Sequence, residues 1–217
     1  MTIQSIVGES VAQIEASHAA RERAIGASRA LIRQCANVIR AVHRSEFGEA
    51  AELLQAATAT AQSLRAGLAA APALLFAGYT QDALKEYAEA RLVFAFLQGQ
   101  APPGPAAIQV DPAAYLNGLA EAASELRRAI LDGLRHGEVA RGEALLEIMD
   151  EVYSTLVTVD YPDALTGGLR RTTDALRAVL ERTRGDMTAA IRQEQLTAAL
   201  AAFGNRINGT AGSGMEP

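Results

Sequence analysis

Two pairs of glutamates carry a spacing from which chemistry can be built. Glu86 and Glu89 stand three residues apart in Glu86-Tyr87-Ala88-Glu89-Ala90, and Glu121 and Glu125 stand four apart. Separations of three and four put both members of a pair on one face of a helix. The first stripe continues through Val93 and Phe96 into the apolar run Leu92-Val93-Phe94-Ala95-Phe96-Leu97. A helix that is apolar on every side is buried on every side, so Glu86 and Glu89 extend a buried stripe. Gly118 lies one turn before Glu121 on the second stripe, where the missing side chain lets another helix come close. If the two helices pack antiparallel, the four carboxylates face one another. Each close pair then costs roughly 1–4 kcal/mol at surface-like dielectric. Protons or a divalent cation must neutralise them, and Mg²⁺ (or Mn²⁺), which takes a few carboxylates and keeps several waters, suits phosphodiester hydrolysis. The same pattern also describes two solvated helix faces, the commoner use of paired glutamates.

Basic residues form a second constellation. Arg29, Arg33 and Arg40 fall on one helical stripe, with His43 and Arg44 near its end, and Arg170 and Arg171 add basic points further along. All but one of the 20 basic residues are arginine, the exception being Lys85. The guanidinium fork grips phosphate bidentately, so such a row can track a nucleic-acid backbone. Solvated faces, subunit ion pairs or a GC-rich genome would give the same bias. His18, His43 and His136 are too dispersed, with one cysteine between them, for a zinc site. There is no Walker loop, dinucleotide fingerprint or Gly-x-Ser-x-Gly elbow.

The elements that must position these groups are helical. Ala, Leu, Arg and Glu dominate, aromatics are 5% and β-branched runs are scarce. The expected helices cover about residues 3–43, 46–69, 73–97, 112–135, 142–156, 163–184 and 187–203. Residues 98–112, with four of the seven prolines, form the one long irregular connection. Asp111-Pro112 is a helix start, with Asp as N-cap and Pro at the first helical position. Gly185 is expected to end the sixth helix, and residues 204–217 to form a flexible tail after a helical domain over 1–203.

No apolar window of about 18 residues is free of charge, so no membrane span is expected. The N-terminus carries acids where a signal peptide has a basic segment. The single cysteine, Cys35, excludes an internal disulfide and reads as a small buried hydrophobe in a reducing cytoplasm. The net charge of −5 disfavours a generic nucleic-acid coat, but charge distribution matters more.

Four segments resemble the translin family, and its factor X branch in particular. They are Ser28 to Arg33 running on to Ile39 through Arg44, Gly78 through Ala90, Tyr115 to Ala120 leading to Ser124 through Arg128, and Tyr161 to Leu165 with Leu169 through Asp174. The resemblance spans about residues 18–190 in the family's order. It implies an all-α, seven-helix superhelical subunit that closes into a homo-oligomeric shell, typically of eight subunits, around single-stranded RNA or DNA. It also implies a Mg²⁺-dependent endoribonuclease site at Glu86, Glu89, Glu121 and Glu125, or, as the alternative, a non-catalytic nucleic-acid-binding shell. Glu121 departs from the catalytic pattern, which has Asp there. The extra methylene bears on a metal that demands near-ideal octahedral geometry.

Overall fold

The computed structural model describes residues 2–211, with side chains to residue 207. Its elements are α1 (Ile3–His43), α2 (Phe47–Leu68), α3 (Pro72–Leu75), α4 (Gly78–Leu97), α5 (Pro105–Ile108), α6 (Pro112–Leu134), α7 (Val139–Leu156), α8 (Asp163–Thr166) and α9 (Leu169–Ala211). No strand occurs among the described residues, and no described helix is long and apolar enough to cross a membrane.

α1 and α2 make an antiparallel hairpin closed by residues 44–46, with Ser45 in the left-handed region (φ 61°). The segment expected as one helix over 73–97 is two. Pro72 opens the single turn α3, and the chain breaks at Phe76-Ala77. The break is held by Thr80 Oγ1 and Gln81 Nε2, which donate back to the carbonyls of Leu74 and Leu75, both at 2.8 Å. α4 is enclosed along its second half, where Leu92, Val93, Ala95, Phe96 and Leu97 are buried and Phe94 meets Phe47 edge-on with centroids 6.5 Å apart.

The long connection decides how the carboxylates meet. It runs back along α4, anchored by buried Ile108 and Val110 and by Tyr115 Oη donating to the Pro103 carbonyl at 2.8 Å. α6 therefore starts beside the start of α4, with Asp111, Ala113 and Ala114 sharing a cavity with Gly78, Gln81 and Asp82. Further on, Gly118 lies against Lys85, Ala88 and Glu89. Residue numbers climb together, so α4 and α6 are parallel, not antiparallel. Asp111 caps α6 as expected, its Oδ1 accepting from the Ala113 amide at 3.0 Å.

α7 folds back on α6, and α9 packs along both. The boundary expected at Gly185 is absent. Gly185 has open space around it and costs only about 1 kcal/mol in a helix. Buried Thr183 and Met187 on either side hold the helix together, Thr183 accepting from Arg127 at 3.1 Å and Met187 seating its thioether against Gly142. The real break comes earlier, at Gly167 and Gly168, both left-handed (φ 61° and 83°). Residues 204–211, expected as tail, continue α9, and residues 212–217 lie outside the described residues.

Candidate acidic site and basic surface

α4 contributes Glu86 and Glu89, and α6 contributes Glu121. One carboxylate oxygen from each lies within 4.8 Å of the other two. Gly118 permits this approach, because a Cβ there would stand 2.7 Å from the Lys85 carbonyl oxygen and 3.2 Å from the Glu89 amide nitrogen. Glu86 and Glu121 are partly open to solvent, whereas Glu89 is only 8% exposed. Burial, then the charges of Glu86, Glu121 and Glu125, push the Glu89 carboxyl up to about 8. A protonated carboxyl is the ordinary way for a crowded buried acid to avoid its desolvation cost.

The sequence reading missed Lys85. Its Nζ stands 2.6 Å from Glu121 Oε2 and 3.4 Å from Glu86 Oε1, so an internal ammonium already neutralises part of the cluster. Burial works against its charge, but the hydrogen bond and charge of Glu121, followed by Glu86, raise its pKa overall. The available signal was its uniqueness: the only lysine of the chain stands one helical turn before Glu89.

Glu125 is not gathered with the other three. It turns toward α1, where His43 Nε2–H donates to its Oε2 at 2.8 Å. That hydrogen bond is the main reason the Glu125 carboxyl lies below the usual range, with burial opposing it. His43 is correspondingly not a surface residue: its side chain is 1% exposed and its Nδ1 is buried without a hydrogen-bond partner. Buried in this way, His43 does not share the exposed face of the arginines expected in the same basic row. At this position α1 turns the imidazole inward to meet α6.

Cys35 is buried on α1 as expected. Burial, then the charges of Glu86 and Glu89, push its thiol up to about 12, which keeps it protonated under the acidic cluster.

Arg29, Arg33, Arg40 and Arg44 are exposed on the face of α1 turned away from buried Leu31, Cys35 and Val38. The row therefore does not line the acidic site. Arg29 and Arg33 have no ion pair among the described residues, Arg40 bonds Asn37, and Arg44 pairs with Glu46 and Glu49. Arg170 is held by Asp160 at 3.0 Å. Arg171 alone of the expected basic set shares a concavity, of about 520 Å³, with Lys85 and Glu121. Beside a carboxylate trio, such a groove can hold a polar, phosphorylated chain.

No protein-family model matches the chain. It is 29% identical over 178 residues to an uncharacterized protein of Methanocaldococcus jannaschii, covering 81% of this chain and 78% of that one. Among solved structures, C3PO from Archaeoglobus superposes with a TM-score of 0.80 at 30% identity, covering 86% of this chain and 97% of that one. The structure of the same protein in complex with duplex RNA gives a TM-score of 0.77 at the same identity and coverage. Apo C3PO from Nematostella gives 0.75 at 17% identity, over 88% of this chain and 98% of that one, a likeness of fold alone. The Archaeoglobus protein is matched over nearly its whole length in both sequence and fold, and the chain belongs to the translin family.

Proposed function

We propose that this chain is a subunit of a closed oligomer that binds single-stranded RNA and cleaves it with Mg²⁺ (or Mn²⁺) at Glu86, Glu89 and Glu121. The carrying observation is that these three carboxylates, from two helices, come within 4.8 Å of one another around a buried member. An all-oxygen donor set of this kind fits a hard divalent cation. Such an ion, when bound, would lower the pKa of a water and offset charge on the scissile phosphate. Glu89, whose carboxyl is pushed up to about 8, would hold such an ion in its ionised form. Lys85, the counter-charge to Glu121 and Glu86, would be free to meet a phosphate oxygen were those two carboxylates holding an ion. Glu125, held by His43, tethers α6 to α1 and sits behind the trio as a further carboxylate.

RNA as the polymer is supported by the Archaeoglobus C3PO structure, solved with duplex RNA. Closure into an oligomer is supported by two exposed apolar stripes: Ile3, Val7, Val11 and Ile14 on α1, and Leu196, Leu200 and Phe203 on α9. Helical stripes of that size normally find a partner.

A non-catalytic RNA-binding shell is the second reading, favoured by Lys85 already neutralising Glu121 and by Glu in place of Asp at position 121. The deciding experiment incubates labelled single-stranded and duplex RNA with the protein in Mg²⁺, Mn²⁺ or EDTA, with its mass followed by light scattering. Metal-dependent cleavage of the single strand by a multimer supports the nuclease. Retention without cleavage supports the shell, and failure to retain RNA at low salt defeats both.

A further inference from the structure

Tyr87 and Arg91, one turn apart on α4, point away from the acidic cluster and toward α2. A concavity of about 140 Å³ lies there, lined chiefly by Thr58, Gln62, Arg65, Tyr87, Arg91 and Gln109. No carboxylate lines it. Neither Arg65 nor Arg91 has a carboxylate at ion-pair distance among the described residues.

The hydrogen bonds around the concavity leave the guanidiniums largely unspent. Thr58 Oγ1 gives its proton to the Leu54 carbonyl at 2.8 Å, so it accepts from Tyr87 Oη at 3.0 Å and from Arg91 Nη1 at 3.5 Å. Arg65 donates through Nη1 to Gln109 Oε1. A guanidinium carries five N–H donors, and each of these two uses one on a protein partner.

Gln109 is itself unusual. It holds a left-handed backbone (φ 57°, ψ 43°) between buried Ile108 and Val110, a conformation that costs a non-glycine residue energy. That strained turn sets its amide against Arg65 at the rim.

Two cations lining one concavity with no acid between them repel, and an anion there would relieve both. The space is well below the roughly 300–1,000 Å³ of pockets that take whole small molecules, which limits the occupant to a group. Arginine forks match tetrahedral oxyanions bidentately. We propose that Arg65 and Arg91 form a binding site for a single phosphate group, separate from the acidic cluster. The phosphate comes either as the free ion or on an RNA strand.

The test uses the full-length protein in EDTA, so that the acidic cluster contributes no metal. Equilibrium dialysis against radiolabelled inorganic phosphate is run on the parent, Arg65→Gln and Arg91→Gln. Gel-shift titrations use one single-stranded oligoribonucleotide with a 5′-phosphate or a 5′-hydroxyl. Saturable phosphate binding that falls at least tenfold in both variants supports a free-ion site. No retention of the free ion, with oligoribonucleotide affinity falling at least tenfold in both variants, supports a strand-phosphate site. Variants that bind phosphate and both oligoribonucleotides as the parent does overturn the proposal. If a variant fails to fold, parent crystals soaked in selenate decide: an anomalous peak between the two guanidiniums supports the site, and an empty map there overturns it.

Discussion

Lys85 Nζ lies 2.6 Å from Glu121 Oε2, joining α4 to α6 through a side chain that also approaches Glu86. This ion pair is about three-quarters shielded on the lysine side, so it is screened less than a surface bridge. Lys85→Met removes the cation and leaves three crowded carboxylates. Metal-free stability is expected to fall by about 1–2 kcal/mol, between the values for exposed and fully buried pairs. The melting-temperature rise given by Mg²⁺ should grow, because the ion no longer competes with an ammonium. Thermal scans with and without Mg²⁺ check both effects, and a loss of metal response in Lys85→Met contradicts this account.

Glu89 yields a pH prediction. Its folded pKa, about 8, lies above the ordinary carboxylate value of about 4.5. An acid whose pKa rises on folding supports the fold fully below its unfolded pKa and loses that support as pH climbs toward the folded value. The metal-free parent should therefore lose stability between about pH 4.5 and 8, by an amount on the order of a few kcal/mol. Glu89→Gln, which cannot ionise, should flatten this stretch, matching the parent near pH 4 and exceeding it near pH 8. The same change should abolish stabilisation by Mg²⁺ or Mn²⁺. Denaturant titrations across that range in EDTA, then with metal, measure both.

Two glycine substitutions with opposite expected signs test the helix contact. A Cβ at position 118 would come within 2.7 Å of a backbone carbonyl oxygen that cannot rotate away, so α4 and α6 must separate. Gly118→Ala should cost about 1–3 kcal/mol and weaken divalent-ion binding. Gly185 faces open space in mid-helix, and Gly185→Ala should stabilise by about 0.5–1 kcal/mol without touching metal binding. Equilibrium unfolding and Mn²⁺ titration of both variants read the result.

For the arginine row, Arg29→Ala combined with Arg33→Ala should weaken single-stranded RNA binding while helicity is kept. Both side chains are exposed and have no ion pair among the described residues, so folding has little to lose. The slope of log affinity against log salt should shrink by about 0.7 for each lost phosphate contact. An unchanged slope would assign the row to contacts between subunits.

Helix content, the Asp111 cap, the burial of Cys35 and the packing role of Gly118 were legible in the residues because each is a local matter. Periodicity over a few turns reports which face is buried, and a cap or a small residue acts on its immediate neighbours. Glu86, Glu89 and Glu121 were legible as one-face residues for the same reason. Their convergence required α4 and α6 to lie side by side in parallel, which the path of residues 98–111 decides and no periodicity records. Glu125 shares its face with Glu121, yet His43, 82 residues away, engages it. Gly185 reads as a helix stop by propensity, but buried Thr183 and Met187 outweigh that small cost. The amino-acid sequence alone thus determined that the chain is helical and which faces carry charge. Only the tertiary structure decided which charges meet, because pairing across 36 or 82 residues depends on the direction and contact of whole helices.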